Sequence, residues 1–336
     1  MTSLELTLLY LFAAVLGVVV CRSFKLPPIL GYLAVGVVIG PNMLALAKNT
    51  QGVQHLAEFG VVFLMFAIGL EFNLPKLRSM RRHVFGLGLL QVVCTMLAAT
   101  AVTLLLMKYL PASWRMSWQA ALALSGALAM SSTAILVKLM TERLEMDSEH
   151  GKRVMGVLLF QDLAVVPLLV LIPALGASDE NLFLALALAG LKAAVLITVL
   201  LVGGQLMMRF WLTLVAKRKS DELFILNLLL ITLGLAWLTE LAGLSLALGA
   251  FLAGMLISET EFKHQVEADI RPFHDVLLGL FFITIGMMLN WRLVWDRWPL
   301  VLMLVIVPVL FKLVLVTVLA RGLGATTGVS LRTGIY

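Results

Sequence analysis

The sequence predicts an all-α membrane protein that crosses the bilayer about eleven times and is built around an inverted repeat. Three observations lead there: a composition too apolar for water, apolar runs of bilayer length down the whole chain, and a glycine pattern that recurs at one offset. Of the 336 residues, 61% are hydrophobic and 13% charged, against about 45–50% and about 25% in soluble domains. Lipid must face most of that apolar surface. The net charge of +6 fits basic cytoplasmic loops rather than a nucleic-acid partner.

The expected spans are Leu4–Val20, Ile29–Leu44, Val53–Leu70, Val84–Leu106, Trp118–Leu139, Val154–Leu175, Leu182–Val215, Leu223–Leu241, Leu244–Ile257, Phe273–Leu289 and Leu300–Leu319. The first has Glu5 rather than basic residues ahead of it, so it reads as a span and not a cleaved leader. Pro41 is placed to end the second, and Pro167 and Pro173 to bend the sixth. The seventh is long enough to demand a strong tilt. The ninth is short for a crossing, which places its ends against protein. Cys21 and Cys94 read as separate packing residues.

Charge sets the orientation. Seventeen of the 25 Lys and Arg fall in one set of alternate loops and five in the other, so the N-terminus is expected outside. Lys138, Lys192 and Lys312 lie within spans. The first two are near span ends and are expected to snorkel.

Gly31, Gly36 and Ile39 of the second span match Gly249, Gly254 and Ile257 of the ninth at an offset of 218. Ile68, Gly69 and Asn73 around the end of the third match Ile285, Gly286 and Asn290 of the tenth at 217. Small-residue spacings also arise wherever membrane helices pack, but two adjacent matches at nearly one offset point to duplication. Seven spans separate each pair, so partners cross in opposite directions, the inverted topology of secondary transporters. The mirrors of the fifth and sixth spans are then expected beyond the eleventh, and the chain reads as cut before either.

Three features inside the apolar runs carry chemistry. Ser131, Ser132 and Thr133 stand near the middle of the fifth span. They either unwind it, freeing carbonyls for a cation, or merely let two helices approach closely. Asp162, after Gln161, lies near the middle of the sixth. A carboxylate there costs about 2.5–3.5 kcal/mol on insertion scales, which function offsets more readily than structure does. Ionised, it can hold a dehydrated monovalent cation. Protonated, it is neutral, so cation and proton compete for one group and exchange is electroneutral. Lys312 is deep in the eleventh span, and a buried acid, Asp162 foremost, is its expected partner.

With these residues in view, the chain resembles the membrane domain of the monovalent cation:proton antiporter-2 family, in its Kef-type potassium–proton branch. The matching stretches are Gly31 to Gly36 continuing to Gly40-Pro41, Ser131 to Ala134, Phe160-Gln161-Asp162 and Gly279 to Met287. The resemblance covers almost the whole chain. It implies a sodium–proton antiporter-like fold and exchange of K+, or of Na+, for H+ by alternating access, with no cofactor. Asp162 would be the cation- and proton-binding carboxylate, with Gln161, Ser131, Ser132 and Thr133 beside it and Lys312 as the buried basic partner. It further implies a homodimer in a bacterial inner membrane, N-terminus outside, followed by a cytosolic nucleotide-binding domain that residues 1–336 do not include. His264, Glu267, Asp269 and Arg271 resemble a regulatory loop of glutathione-gated potassium efflux proteins. Arg271 stands where that pattern has an acid, which argues against glutathione gating.

The competing classes are a sodium–proton antiporter, an organic-anion carrier of the same architecture, and a gated K+ efflux channel. A channel filter of the Thr-Val-Gly-Tyr-Gly kind does not occur in the sequence. Nor does a His-Glu-x-x-His metal motif, a Gly-x-Ser-x-Gly elbow or a phosphate loop. His55, His83, His150, His264 and His274 read as scattered residues of loops and helix ends, and no enzyme is expected.

Overall fold

The computed structural model describes residues 3–24, 26–46, 51–72, 78–108, 116–176 and 182–336, and among them every regular element is helical. In chain order these are α1 Ser3–Ser23, α2 Pro28–Ile39, α3 Gln51–Glu71, α4 His83–Met107, α5 Trp118–Ala129, α6 Thr133–Glu142, α7 Glu149–Gly176, α8 Leu182–Val199, α9 Gln205–Ala216, α10 Asp221–Leu241, α11 Leu246–Ser258, α12 Lys263–Met288, α13 Trp291–Asp296, α14 Trp298–Gly322 and α15 Thr327–Ile335. Five of the described helices (α4, α7, α10, α12 and α14) are each long and apolar enough to cross a membrane, and shorter apolar helices accompany them. Asn73 of the expected repeat and the loop cations Lys25, Lys48, Lys76 and Arg115 lie outside the described residues.

Helix boundaries follow local chemistry. Pro28 starts α2, where its missing N–H costs nothing, and α2 stops at Ile39 with Gly40-Pro41 beyond. Ser117, Ser132, Ser220 and Ser245 each accept an N–H of the helix they precede, satisfying donors that have no partner within the helix. Where a long tilted seventh span was expected, a π-helical stretch at Leu200–Gly204 separates α8 from α9. Gly203 and Gly204 lie in it. The sixth span runs as one helix through both Pro167 and Pro173. Cys21 and Cys94 are both free.

The chain divides into two compact units, Met1–Phe72 with Ile197–Val301 and Asn73–Leu196 with Leu302–Tyr336. The first unit is where the repeat becomes visible. A Cβ on Gly36 of α2 would strike the Ile283 carbonyl of α12, and one on Gly286 of α12 would strike Leu33 of α2. The mirror contact is α11 on α3: a Cβ on Gly254 would strike the Phe66 carbonyl, and one on Gly69 would strike that of Phe251. Applying the repeat offset to the pair Gly36–Gly286 yields Gly254–Gly69. Each half therefore packs its second span on the third span of the other half. Backbones at this distance gain dispersion and Cα–H···O contacts, the terms that hold helices together in lipid. A core of Phe63, Phe66, Leu212, Phe224, Leu228, Leu256 and Ile257 completes the unit.

In the second unit α4 opens with a π turn over His83–Gly88. Gly88 lies against Phe160 of α7, and Gly156 of α7 lies against His83. Val92, Ala129, Leu159 and Ala164 bury a core where α4, α5 and α7 meet. The sequence placed no helix beyond Leu319, yet residues 327–335 form α15. It follows α14 as α5 follows α4, the place in the repeat where the mirror of the fifth span was expected only beyond the chain. Glu145, in the turn between α6 and α7, accepts hydrogen bonds from the Tyr336 hydroxyl and, at 3.2 Å, from His150 Nε2. The His150 and Tyr336 rings stack with centroids 6.0 Å apart.

Two outcomes follow from this packing. Gly254→Ala is expected to destabilise the protein by about 1–3 kcal/mol, the usual effect of overpacking, read as a lowered melting temperature in detergent. The hydrogen bonds from Tyr336, first, and His150 hold the Glu145 carboxyl below the usual carboxylate range. A depressed acid contributes stability above its unfolded value, and that contribution disappears as pH falls through the folded one. Glu145→Gln should therefore melt earlier than the parent at neutral pH, with the gap closing on acidification.

Candidate functional site

The fifth span is broken. α5 ends at Ala129, the chain runs extended through Met130 (φ −76°, ψ 155°) and Ser132 (φ −76°, ψ 102°), and α6 begins at Thr133. Of the two readings of the hydroxyl cluster, unwinding is the one the structure adopts. The local cause is side-chain competition: the Ser132 hydroxyl accepts the Ile135 N–H and so starts a new helix. The break leaves carbonyls pointing out of the end of α5 and N–H groups at the start of α6, each costing several kcal/mol if unmet in a membrane.

Several of these groups find partners on neighbouring helices. Lys312 of α14 donates to the Ala129 carbonyl at 3.1 Å, the Met130 carbonyl at 2.8 Å and the Ser131 hydroxyl at 2.8 Å. The Ser131 N–H donates to Gln161 Oε1 at 2.8 Å. Gln161 Nε2 donates to Gln91 Oε1 at 2.8 Å, and Gln91 Nε2 donates in turn to the Ala129 carbonyl at 3.1 Å. Gln91 and Gln161 are buried. Thr133, the first residue of α6, donates from its hydroxyl to Asp162 Oδ1 at 3.3 Å.

The charges match the helix ends they face. The C-terminus of α5 carries the negative end of a helix dipole, worth about half an elementary charge, and the Lys312 ammonium sits on it. The N-terminus of α6 carries the positive end, and the Asp162 carboxylate bonds to its first residue. One break thus holds a cation at one lip and a carboxylate at the other.

Several expectations need correction. Asp162 was the expected partner of Lys312, but the described partners of the ammonium are two backbone carbonyls and a hydroxyl. Sequence shows side-chain charge and hides the partial charge of a helix end, which is why the carboxylate was favoured. The predicted site residues otherwise assemble around the break. Gln161 and Ser131 line a cavity of about 50 Å³ with Gln91, Lys312, Thr333 and Tyr336. Thr133 contacts Asp162, whereas Ser132 is spent as a helix cap on an exposed position. The Lys138 side chain lies outside the described residues, and Lys192 is exposed.

The expected regulatory loop is no loop. His264, Glu267, Asp269 and Arg271 lie on the opening turns of α12, which continues through Pro272. Val266 and Ile270, four apart, bury one face of those turns, and that periodicity outweighs the charge and the proline. His264, Glu267 and Arg271 line a cavity of about 560 Å³ with Glu71, Lys263, His274 and Asp275, and Asp269 is not part of its wall. Two histidines that read as scattered therefore share one wall.

Gln91 is the residue that sequence reasoning missed. A full amide in the middle of the fourth apolar run was the signal, since such a group must find partners inside protein.

A chain of apolar helices with an interlocked inverted repeat and a broken helix clasped between lysine and carboxylate has the architecture found in broken-helix membrane transporters. The chain is a member of the sodium/hydrogen exchanger family: the family model described as "Sodium/hydrogen exchanger, transmembrane" matches residues 9–336. It is 43% identical over 92% of its length to K(+) efflux antiporters 1 and 2, chloroplastic, of Arabidopsis thaliana. It spans 26% of the length of each of them. Its fold is similar to that of the sodium proton antiporter of Methanocaldococcus jannaschii, with a TM-score of 0.71 at 16% identity over 99% of this chain and 82% of that one.

Lys312→Met is expected to leave two carbonyls and a hydroxyl without their donor and to cost about 1–3 kcal/mol. Lys312→Arg should recover part of that loss. Thermal unfolding of the purified protein in detergent checks both.

Proposed function

We propose that this chain is the membrane-embedded exchange domain of a potassium–proton antiporter, with Asp162 as the group that cation and proton share. The observation that carries the reading is the Asp162 carboxylate at the broken helix, bonded to Thr133 at the start of α6. Ionised, Asp162 holds a cation stripped of most of its water, helped by the Thr133 hydroxyl. Protonated, it is neutral and returns without one. Because each turnover trades one cation for one proton on one carboxylate, exchange is electroneutral. Lys312 holds the carbonyl end of the break, on two backbone carbonyls and a hydroxyl.

Potassium is preferred on the relatives' names, at 43% identity, over the sodium of the solved neighbour at 16%. The remaining parts of the reading are that the protein works as a homodimer through its membrane helices and alternates access between the two sides of the membrane. It lies in a bacterial inner membrane with the N-terminus outside, and is joined in its full length to a cytosolic nucleotide-binding domain. The strong bias of Lys and Arg to alternate loops supports the orientation. His264, Glu267 and Arg271, around the α12 cavity, are the proposed place where a regulatory partner acts.

In liposomes carrying the full-length protein and a pH-sensitive dye, added potassium should drive proton movement, and Asp162→Asn should abolish it. The rate should not change when membrane voltage is clamped with an ionophore. Exchange that survives Asp162→Asn, or that follows voltage, contradicts this mechanism.

A further inference from the structure

We infer that Gln91 is a positioning residue of the exchange site: it sets the direction of the Gln161 amide and through it the place of Ser131. The inference rests on the Asp162 reading above and concerns how the broken helix beside that residue is held.

The two amides form a series with fixed ends. At one end stands a backbone N–H, that of Ser131, which can only donate. It therefore requires the oxygen of Gln161, at 2.8 Å. The Gln161 nitrogen is then left facing Gln91 and requires its oxygen, also at 2.8 Å. The Gln91 nitrogen is left facing the Ala129 carbonyl at 3.1 Å and the Thr95 hydroxyl at 3.2 Å. A backbone carbonyl can only accept, so the far end closes consistently. Reversing either amide sets donor against donor at one end or acceptor against acceptor at the other. The series spans the break from its last α5 carbonyl to its first free N–H, with a link on α4 and a link on α7.

This changes the role of Gln161. Gln161 was expected beside the cation-binding carboxylate, but its oxygen holds the Ser131 N–H, and Gln161 acts through the backbone. Gln91 in turn touches no transported ion. Its contribution is to keep the Gln161 oxygen facing Ser131, and so to fix where Thr133 presents its hydroxyl to Asp162. Two charged groups of the site stand near this series. Lys312 on α14 shares the Ala129 carbonyl with Gln91, and Asp162 follows Gln161 on α7.

Substituting Gln91 separates positioning from mere packing. Gln91→Leu keeps the bulk and removes all three hydrogen bonds. Gln91→Glu supplies the two bonds of the series when protonated, its carbonyl accepting from Gln161 and its hydroxyl donating to Ala129. When ionised it loses the donor and draws the Lys312 ammonium away from Met130 and Ser131. Full-length protein in liposomes, quantified by the folded fraction from size exclusion, would be assayed for K+/H+ exchange across a pH series, with Asp162→Asn alongside.

For Gln91→Leu the expected result is an apparent KM for potassium about tenfold above the parent, the size of one lost hydrogen bond, with the maximal rate per folded molecule little changed. Gln91→Glu should match the parent at acid pH and approach Gln91→Leu at alkaline pH. A parental KM and pH profile in Gln91→Leu overturns the inference, as does a Gln91→Glu that tracks Gln91→Leu at every pH. A Gln91→Leu that fails to fold leaves the Gln91→Glu profile to decide. Undiminished exchange in Asp162→Asn would instead remove the site assignment on which the inference rests, whatever Gln91 does.

Discussion

The structure depends on one constraint: a helix interrupted in mid-membrane must have the backbone groups of its break satisfied by protein. Three residues of α5 to α6, Met130 to Ser132, leave the helix, and three other helices supply what they lose. Lys312 caps the carbonyl end, Gln161 takes the first free N–H, Gln91 braces both, and Asp162 faces the amino end. Opposite helix-end dipoles sort the charges, so that the basic group goes to the end of α5 and the acid to the start of α6. A carboxylate beside a positive helix end has part of its charge offset by the helix dipole.

The interlocked glycines perform a different task. In the unit of α1–α3 and α9–α13, second-span and third-span helices of opposite halves touch backbone to backbone at Gly36–Gly286 and Gly69–Gly254. Such contacts tolerate no Cβ, so this packing has few alternatives. In the second unit, Gly88 and Gly156 join α4 to α7 in the same way and place Gln91 and Gln161, one turn or so further along each helix, within reach of one another. The polar site is precise because the helices that carry its residues are locked by glycine.

What could be read from sequence follows what sequence encodes directly. The apolar runs, the glycine pairs and the exceptional carboxylate at Asp162 are each written locally in the sequence, and they led to the fold and to the broken helix beside Asp162. Partial charges on the backbone leave no such trace, so Lys312 was assigned a carboxylate where it holds carbonyls. Gln91 was visible as a lone amide in an apolar run, but amides carry no charge and attract less suspicion. Residues 263–273 read as a loop from their charges and Pro272, although Val266 and Ile270 marked the buried face of a helix. α15 has few apolar residues, Thr327 to Ile335 being mostly small or polar. Its helicity comes from packing in the second unit, where Gly334 rests on Thr317 of α14.

The central claim is that the cation sits at the amino end of the broken helix, on Asp162, and away from the lysine-capped carbonyl end. Its most direct test is the position of a heavy potassium substitute such as thallium, located by anomalous scattering or density differences in the full-length protein. The expected result is a site within coordinating distance of the Asp162 carboxylate and the Thr133 hydroxyl, lost in Asp162→Asn, with Lys312 still on Ala129 and Met130. An ion bound by the Ala129 and Met130 carbonyls with Lys312 displaced, or one that persists without the Asp162 carboxylate, would contradict it.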